Sequence, residues 1–151
     1  MKKFLSDALN CLKDDITGHL HRMNDKDGNP NEELSSVVYF KDLWAVYSKI
    51  VKERNIRDPV LKFGIDGGQG KIIMVMFIHD LAASDDDDSD DMKPGGQNRG
   101  IVVARADNAS ENRDNVEYLA KTIGLFEFLS KLPEDRYNII GDLKMCNLLT
   151  G

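Results

Sequence analysis

The fold of this chain is decided by the stretch Val60-Leu61-Lys62-Phe63-Gly64-Ile65-Asp66-Gly67-Gly68-Gln69-Gly70-Lys71-Ile72-Ile73-Met74-Val75-Met76-Phe77-Ile78. Its first seven residues, Val60 to Asp66, predict a short apolar strand that ends in a carboxylate. A second strand is predicted from Lys71 to Ile78, with both faces buried, because every residue after Lys71 is apolar. The four residues between the strands include three glycines, which predicts an antiparallel hairpin.

The residues before this hairpin are predicted to be helical. Residues 4–22 have apolar side chains at three- and four-residue spacing, which is typical of an amphipathic helix. A second amphipathic helix is predicted from about residue 34 to residue 55. We therefore expect residues 1–57 to form a segment of two N-terminal helices, ahead of a core region at residues 58–151.

The residues after the hairpin complete a sheet. Residues 82–99 predict a disordered acidic insert, because they contain six aspartates and a Pro-Gly-Gly turn. A third strand is predicted from Gly100 to Ala106 and a fourth from Tyr137 to Gly141. Between them a helix begins after the capping residues 107–110. This order predicts an α/β fold with a mixed sheet and helical cover.

Composition limits the class of protein. With 151 residues, 41% of them hydrophobic, the chain is long enough to bury a core. The net charge of −6 equals the charge of the six aspartates at 85–91, so the remaining residues neither exclude nor indicate a polyanionic partner. No apolar run has the length of a membrane span, and no signal-like stretch follows Met1, so we expect an intracellular protein without a membrane partner. Cys11 and Cys146 lack neighbours at metal-ligand spacing, which favours reduced thiols.

Two aspartates are the candidate site residues, because Asp66 and Asp142 each end a predicted strand. If these strands are parallel neighbours, both carboxylates lie at one edge of the sheet, where two close negative charges favour a bound cation. Carboxylates are suitable ligands for Mg²⁺ or Mn²⁺, and a third carboxylate allows two metals for attack on a phosphodiester. The structural alternative is that Asp66 accepts hydrogen bonds from the turn amides and Asp142 caps a helix starting near Leu143.

The same segments resemble a known family. The hairpin Phe63–Gly70 and the segment Gly141–Gly151 resemble paired motifs of transposon-derived proteins from invertebrate genomes. In those proteins one strand ends in Asp-Gly-Gly-(Gly/Gln)-Gly and a later strand ends in Asp-Leu-Lys. The segment Glu111–Val116 resembles the start of the intervening helix. The resemblance covers residues 60–151 and is to a ribonuclease-H-like transposase of the Asp-Asp-Glu/Asp (DDE) type.

This resemblance implies a fold, a chemistry and a partner. The implied fold is a ribonuclease-H-like mixed sheet whose first and fourth strands are adjacent and parallel. It implies Asp66 and Asp142 as the first two catalytic residues and as metal ligands for Mg²⁺ or Mn²⁺. The implied activity is metal-dependent phosphodiester chemistry on DNA, with the nucleus as a candidate compartment. The resemblance leaves open whether the protein forms a homo-oligomer.

The chain also departs from the family pattern. After the Asp-Leu-Lys helix the family continues into a Cys/His-rich, zinc-like segment and a third carboxylate, and this sequence has neither before Gly151. Asp107, Glu111 and Asp114 follow the third strand, which is not where the fold places the third ligand. We therefore expect a truncated core with weak metal binding and no turnover.

Two other functions are open. One is a non-enzymatic, domesticated remnant that acts as a binding or interaction module. The other is an ATP-binding fragment, because residues 64–71 also resemble the first phosphate loop of actin-like ATPases and sugar kinases. Two features count against the ATP-binding hypothesis. Lys71 stands where those proteins have Thr or Ser, and no second loop of the Asp-x-Gly-Gly type follows.

Overall fold

The computed structural model describes residues 15–82 and 100–141, which contain six strands, three α-helices and a short 3-10 turn. The strands are β1 (Ile16–His21), β2 (Ser35–Phe40), β3 (Pro59–Gly68), β4 (Lys71–Asp80), β5 (Ile101–Asp107) and β6 (Tyr137–Gly141). The helices are α1 (Leu43–Glu53), α2 (Arg113–Thr122) and α3 (Leu125–Ser130), and the 3-10 turn is Glu134–Arg136. Residues 4–14 of the first predicted helix, nearly all of the predicted insert, Asp142 and the predicted helix start near Leu143 lie outside the described residues.

All six strands belong to one sheet, in the order β1-β2-β5-β4-β3-β6. Strands β3, β4 and β5 form an antiparallel meander, and β6 lies parallel to β3 on its other side. The predicted α/β class with a mixed sheet is therefore confirmed. The fourth strand of the predicted core also occupies its predicted residues, next to the first and parallel to it.

The β3–β4 hairpin is tighter than predicted. Its ladder continues to the pair Gly68 and Lys71, so the turn consists of the two residues Gln69 and Gly70 rather than four. Both turn residues have positive φ, 54° for Gln69 and 77° for Gly70, as a type I′ turn requires. Because this turn matches the twist of paired strands, Gly67 and Gly68 extend β3 instead of forming a loop.

Of the two predicted N-terminal helices, the second is confirmed only over Leu43–Glu53, and the described residues of the first are not helical. Residues 16–21, assigned to the first helix, form β1, and residues 35–40, assigned to the second, form β2. Helix α1 begins only at Leu43, where the Asp42 side chain accepts a hydrogen bond from the Trp44 amide at 3.0 Å. The reason is strand pairing: β2 pairs with β5 and β1 pairs with β2, so the ladder satisfies backbone groups that a helix would otherwise have paired.

The helices cover one face of the sheet. Their buried side chains form one apolar cluster with alternate strand residues, including Ile50 of α1, Leu119 of α2, Leu125 of α3, Phe63 of β3 and Met74 of β4. Because β1 and β2 belong to this sheet, it extends across the boundary predicted near residue 57. Within the described ranges, no helix has the length and apolarity needed to cross a membrane.

The other face of the sheet has no helix over it in the described part of the chain. Ile73, Val75 and Phe77 are only half-buried there, so the predicted burial of both faces of β4 holds for one face. Val38 and Val102 on neighbouring strands are 44% and 51% exposed. We call this surface the open face.

Candidate functional site

Asp66 lies near the end of β3, and its side chain is exposed on the open face. Strand residues alternate between faces, so Ile65 points into the core and Asp66 points away from it. Across the ladder Asp66 is paired with Ile73 of β4. Asp66 lines a depression of about 270 Å³, which we call the Asp66 depression; its other lining residues are Gly67, Gly68, Gln69, Lys71 and Ile73.

The Asp66 carboxylate has no structural partner among residues 15–82 and 100–141. It forms no ion pair there, and it accepts no hydrogen bond from a side chain or from the amides of the turn. The alternative was that Asp66 accepts hydrogen bonds from the turn amides. No such hydrogen bond is formed in this part of the chain. A carboxylate that is exposed and unpaired is available to a ligand.

Strand β6 ends at Gly141, the residue that precedes the second candidate in the sequence, and it lies beside β3. The parallel register pairs Ile65 with Gly141, and each of these residues directly precedes one of the two aspartates. Asp142 itself lies outside the described residues. The register nevertheless places the carboxyl ends of the two strands side by side, which is the arrangement that a site shared by the two aspartates requires.

Lys71 is a site residue that the sequence reasoning did not assign. It begins β4, pairs with Gly68 and is half-buried. Because Lys71 precedes Ile73 by two residues on one strand, it shares the face of Asp66. No described residue forms an ion pair or a hydrogen bond with its ammonium group. The signal in the sequence is a cation directly after the glycines, at the position where actin-like ATPases and sugar kinases have Thr or Ser.

The other carboxylates considered after the third strand do not join Asp66. Asp107 forms an ion pair with Arg105 at 3.0 Å, and Asp114 accepts a hydrogen bond from a side-chain amide at 3.3 Å. Glu111 lies on the opposite face of β3, because a Cβ built on Gly67 would be 2.2 Å from its Cγ. Among the described residues, no group of three or more His, Cys, Asp and Glu side chains could hold a metal.

A second polar cluster joins β1 to α2. A helix over residues 4–22 would place His19 and His21 on different faces, but on a strand residues two apart share a face. Both contact Tyr118: the Nε2 of His19 lies 2.5 Å from its hydroxyl, and the ring of His21 stacks on its ring at 3.6 Å. Burial, together with the nearby charge of His19, lowers the pKa of His21. These contacts give both histidines a structural role in attaching the edge strand.

No family model matches this chain, and no curated protein or solved structure matches it significantly. Function is therefore inferred from the geometry around Asp66 and from the resemblance of the sequence motifs.

Proposed function

We propose that residues 59–141 are the first part of a ribonuclease-H-like, transposase-type core for metal-dependent phosphodiester chemistry on DNA. One observation carries this proposal: β6 lies parallel to β3, with Ile65 opposite Gly141, while the adjacent Asp66 carboxylate is exposed and unpaired in the described part of the chain. The strand order β5-β4-β3-β6, an antiparallel meander followed by a parallel fourth strand, agrees with what the resemblance implies.

The residues present fit a small divalent cation. Mg²⁺ and Mn²⁺ prefer oxygen ligands, and a carboxylate with no competing partner supplies two. The Asp66 depression, at about 270 Å³, has room for an ion that keeps several of its waters. Asp142, the residue after Gly141, would supply the second carboxylate. Asp66 and Asp142 are thus the proposed metal ligands.

The chain's own residues position the reaction. Strand β3 is paired with β4 along its whole length and with β6 up to Ile65, so the backbone that holds Asp66 is fixed on both sides. Since no described helix covers the open face, a DNA strand has access to the carboxylate from that side of the described sheet. A bound Mg²⁺ would act as a Lewis acid and lower the pKa of a bound water. Because the described residues contain no third acidic ligand, we expect metal binding without turnover.

The proposal is tested by adding Mn²⁺ to the protein and recording the broadening of amide NMR signals. We expect the signals of Gly67 and Gly68 to broaden first. We also expect Asp66→Asn to lower the Mn²⁺ affinity by about tenfold or more, because it removes a charged ligand. The control is Asp135→Asn. It removes an exposed carboxylate from the turn that precedes β6, and this turn lies at the other end of the strand from Gly141. If Asp66→Asn behaves like Asp135→Asn, the metal-site proposal is wrong.

A further inference from the structure

We propose that Lys71 binds a phosphate of the substrate strand next to the cation held by Asp66, an inference that rests on the proposed function. Among the described residues that line the Asp66 depression, the charged ones are Asp66 and Lys71, and their charges are opposite. Both belong to the same hairpin and to the same face of the sheet. The depression therefore has one group suited to a cation and one suited to an anion.

The ammonium of Lys71 is not neutralised by any carboxylate among residues 15–82 and 100–141. Two arginines of the described part of the chain do have carboxylate partners: Arg105 pairs with Asp107 at 3.0 Å, and Arg136 pairs with Asp58 at 2.9 Å. Lys71 has no such partner in the part of the chain that the structure describes. A half-buried ammonium without a partner, on the rim of a depression, favours an anionic ligand at that place.

The two charges in the depression are not paired with each other. Asp66 and Lys71 line one depression but form no ion pair, so the Asp66 carboxylate oxygens and the Lys71 Nζ are more than 4.0 Å apart. A cation lies about 2.1 Å from its carboxylate ligand, and a phosphate oxygen about 2.8 Å from a lysine ammonium. A phosphate that contacts both the cation and Lys71 requires such a gap.

The same geometry indicates which part of a nucleic acid is recognised. A lysine ammonium is a compact point charge without the planar fork of donors that arginine has, and a point charge suits a phosphate oxygen. The neighbouring side chains of β4 on this face, Ile73 and Val75, are apolar and offer no hydrogen bonds to bases. The ligand class is therefore a phosphate oxygen next to a divalent cation, and we assign its source to the backbone of a DNA strand.

The test compares Lys71→Gln with Lys62→Gln. Lys62 lies on the same hairpin and the same face but does not line the Asp66 depression, so it controls for the loss of one charge. Fluorescence anisotropy measures the affinity for a short oligothymidylate in the presence of Mn²⁺, and NMR line broadening measures the affinity for Mn²⁺ alone. ATP serves as the competing source of phosphate.

We expect Lys71→Gln to lower the oligothymidylate affinity about tenfold and to reduce the slope of log affinity against log salt by about 1. The same variant should raise the affinity for Mn²⁺ alone slightly, because it removes a positive charge near the cation. Lys71→Arg should restore the oligothymidylate affinity, since it restores the charge. A purely structural role for Lys71 would not produce opposite effects on the two ligands.

Equal effects of Lys71→Gln and Lys62→Gln on oligothymidylate would overturn the inference, and Mn²⁺ binding that still depends on Asp66 would leave the proposed function standing. Mn²⁺ binding that ignores Asp66→Asn would overturn both. Tighter binding of ATP than of oligothymidylate, with the same dependence on Lys71, would overturn the assignment to DNA and favour a nucleotide.

Discussion

The β3–β4 hairpin has an aspartate near each of its two ends, and these aspartates differ in the hydrogen bonds that they accept. At the end of the hairpin away from the turn, Asp80 accepts hydrogen bonds from three backbone amides. Those of Asp58 and Ala82 lie at 2.9 Å and that of Arg57 at 3.2 Å. At the turn end, Asp66 accepts none in the described part of the chain. Burial opposes the ionisation of Asp80, but these amides and the charge of Arg57 outweigh it and lower the pKa of Asp80.

This difference shows how a structural carboxylate is distinguished from a candidate ligand. Both residues lie near a strand end, and neither its position nor its residue type separates them. Asp80 fixes the chain that enters β3 and the chain that leaves β4, so its charge is already matched by hydrogen-bond donors. Asp66 lines a depression, and no residue in the described ranges donates a hydrogen bond to it or forms an ion pair with it. The first is expected to matter for stability and the second for binding.

The largest effect is expected from removing each carboxylate in turn. Asp80→Ala leaves three backbone amides without their acceptor, so it should lower the free energy of unfolding by about 2 kcal/mol. Asp66→Ala removes no hydrogen bond among the described residues and should change it by less than about 0.5 kcal/mol. Urea denaturation monitored by circular dichroism measures both values. Equal losses for the two variants would break the comparison.

A smaller effect is expected from the glycine that follows Asp66. A Cβ at Gly67 would lie 2.2 Å from the Cγ of Glu111, so Gly67→Ala forces that side chain to move and should cost about 1 kcal/mol. Adding Glu111→Ala should recover most of the loss, because it removes the obstacle. The matched control is Gly64→Ala, where the nearest atom is a Phe77 ring carbon at 3.4 Å and little loss is expected.

The stabilities of these variants separate two properties of the turn end, the packing of Gly67 against Glu111 and the charge of Asp66. If the double variant Gly67→Ala with Glu111→Ala remains as unstable as Gly67→Ala alone, the contact with Glu111 is not the reason for glycine at this position.

The smallest effect is expected in how the free energy of unfolding falls at acidic pH, which we call the acid limb. The pKa of Asp80 in the folded protein is lowered from its ordinary value of 3.8, so its stabilisation is complete above pH 3.8. That stabilisation is lost as the pH falls through the folded-state pKa. Urea denaturation in steps below pH 3.8 should therefore show a flatter acid limb for Asp80→Asn than for the wild-type chain. An acid limb of Asp80→Asn as steep as that of the wild-type chain would contradict the assignment to Asp80.

The central strands could be predicted because their apolar residues are continuous. The run from Ile72 to Ile78 and the short run before Asp66 are too apolar for a surface segment, and the glycines between them require a turn. Strand β6 was predictable for a similar reason, since it is a short apolar stretch that ends at a glycine. These elements depend on local composition, and their bounds in the structure are close to those predicted.

Strands β1 and β2 could not be predicted in the same way. Ile16 and Leu20 are four residues apart, a spacing that suits one face of a helix, and both are exposed in the structure. In β2, Ser35 and Val37 are buried while Ser36 and Val38 are exposed, which is the alternation of a strand paired within a sheet. The two interpretations compete locally, and the pairing of β2 with β5 decides between them.

The sequence was sufficient to predict Asp66 as a site residue, but not to predict which groups surround it. Asp66 stands out in the sequence because a strand runs into a carboxylate and then into glycines. That it faces away from the core, that no described group pairs with it and that Lys71 lines the same depression all depend on the register of the hairpin. A shift of the register by one residue would exchange the two faces of β3 and bury the carboxylate.

The sequence by itself therefore determined the hairpin, the carboxylate at its end and the strand that leads to Asp142, because each depends on a local run of residue types. Only the tertiary structure decided that β6 lies beside β3, that the N-terminal residues extend the sheet and that Asp66 and Lys71 share one depression. These features arise from backbone pairing between segments far apart in the chain, and pairing of this kind leaves little trace in the local pattern of residues.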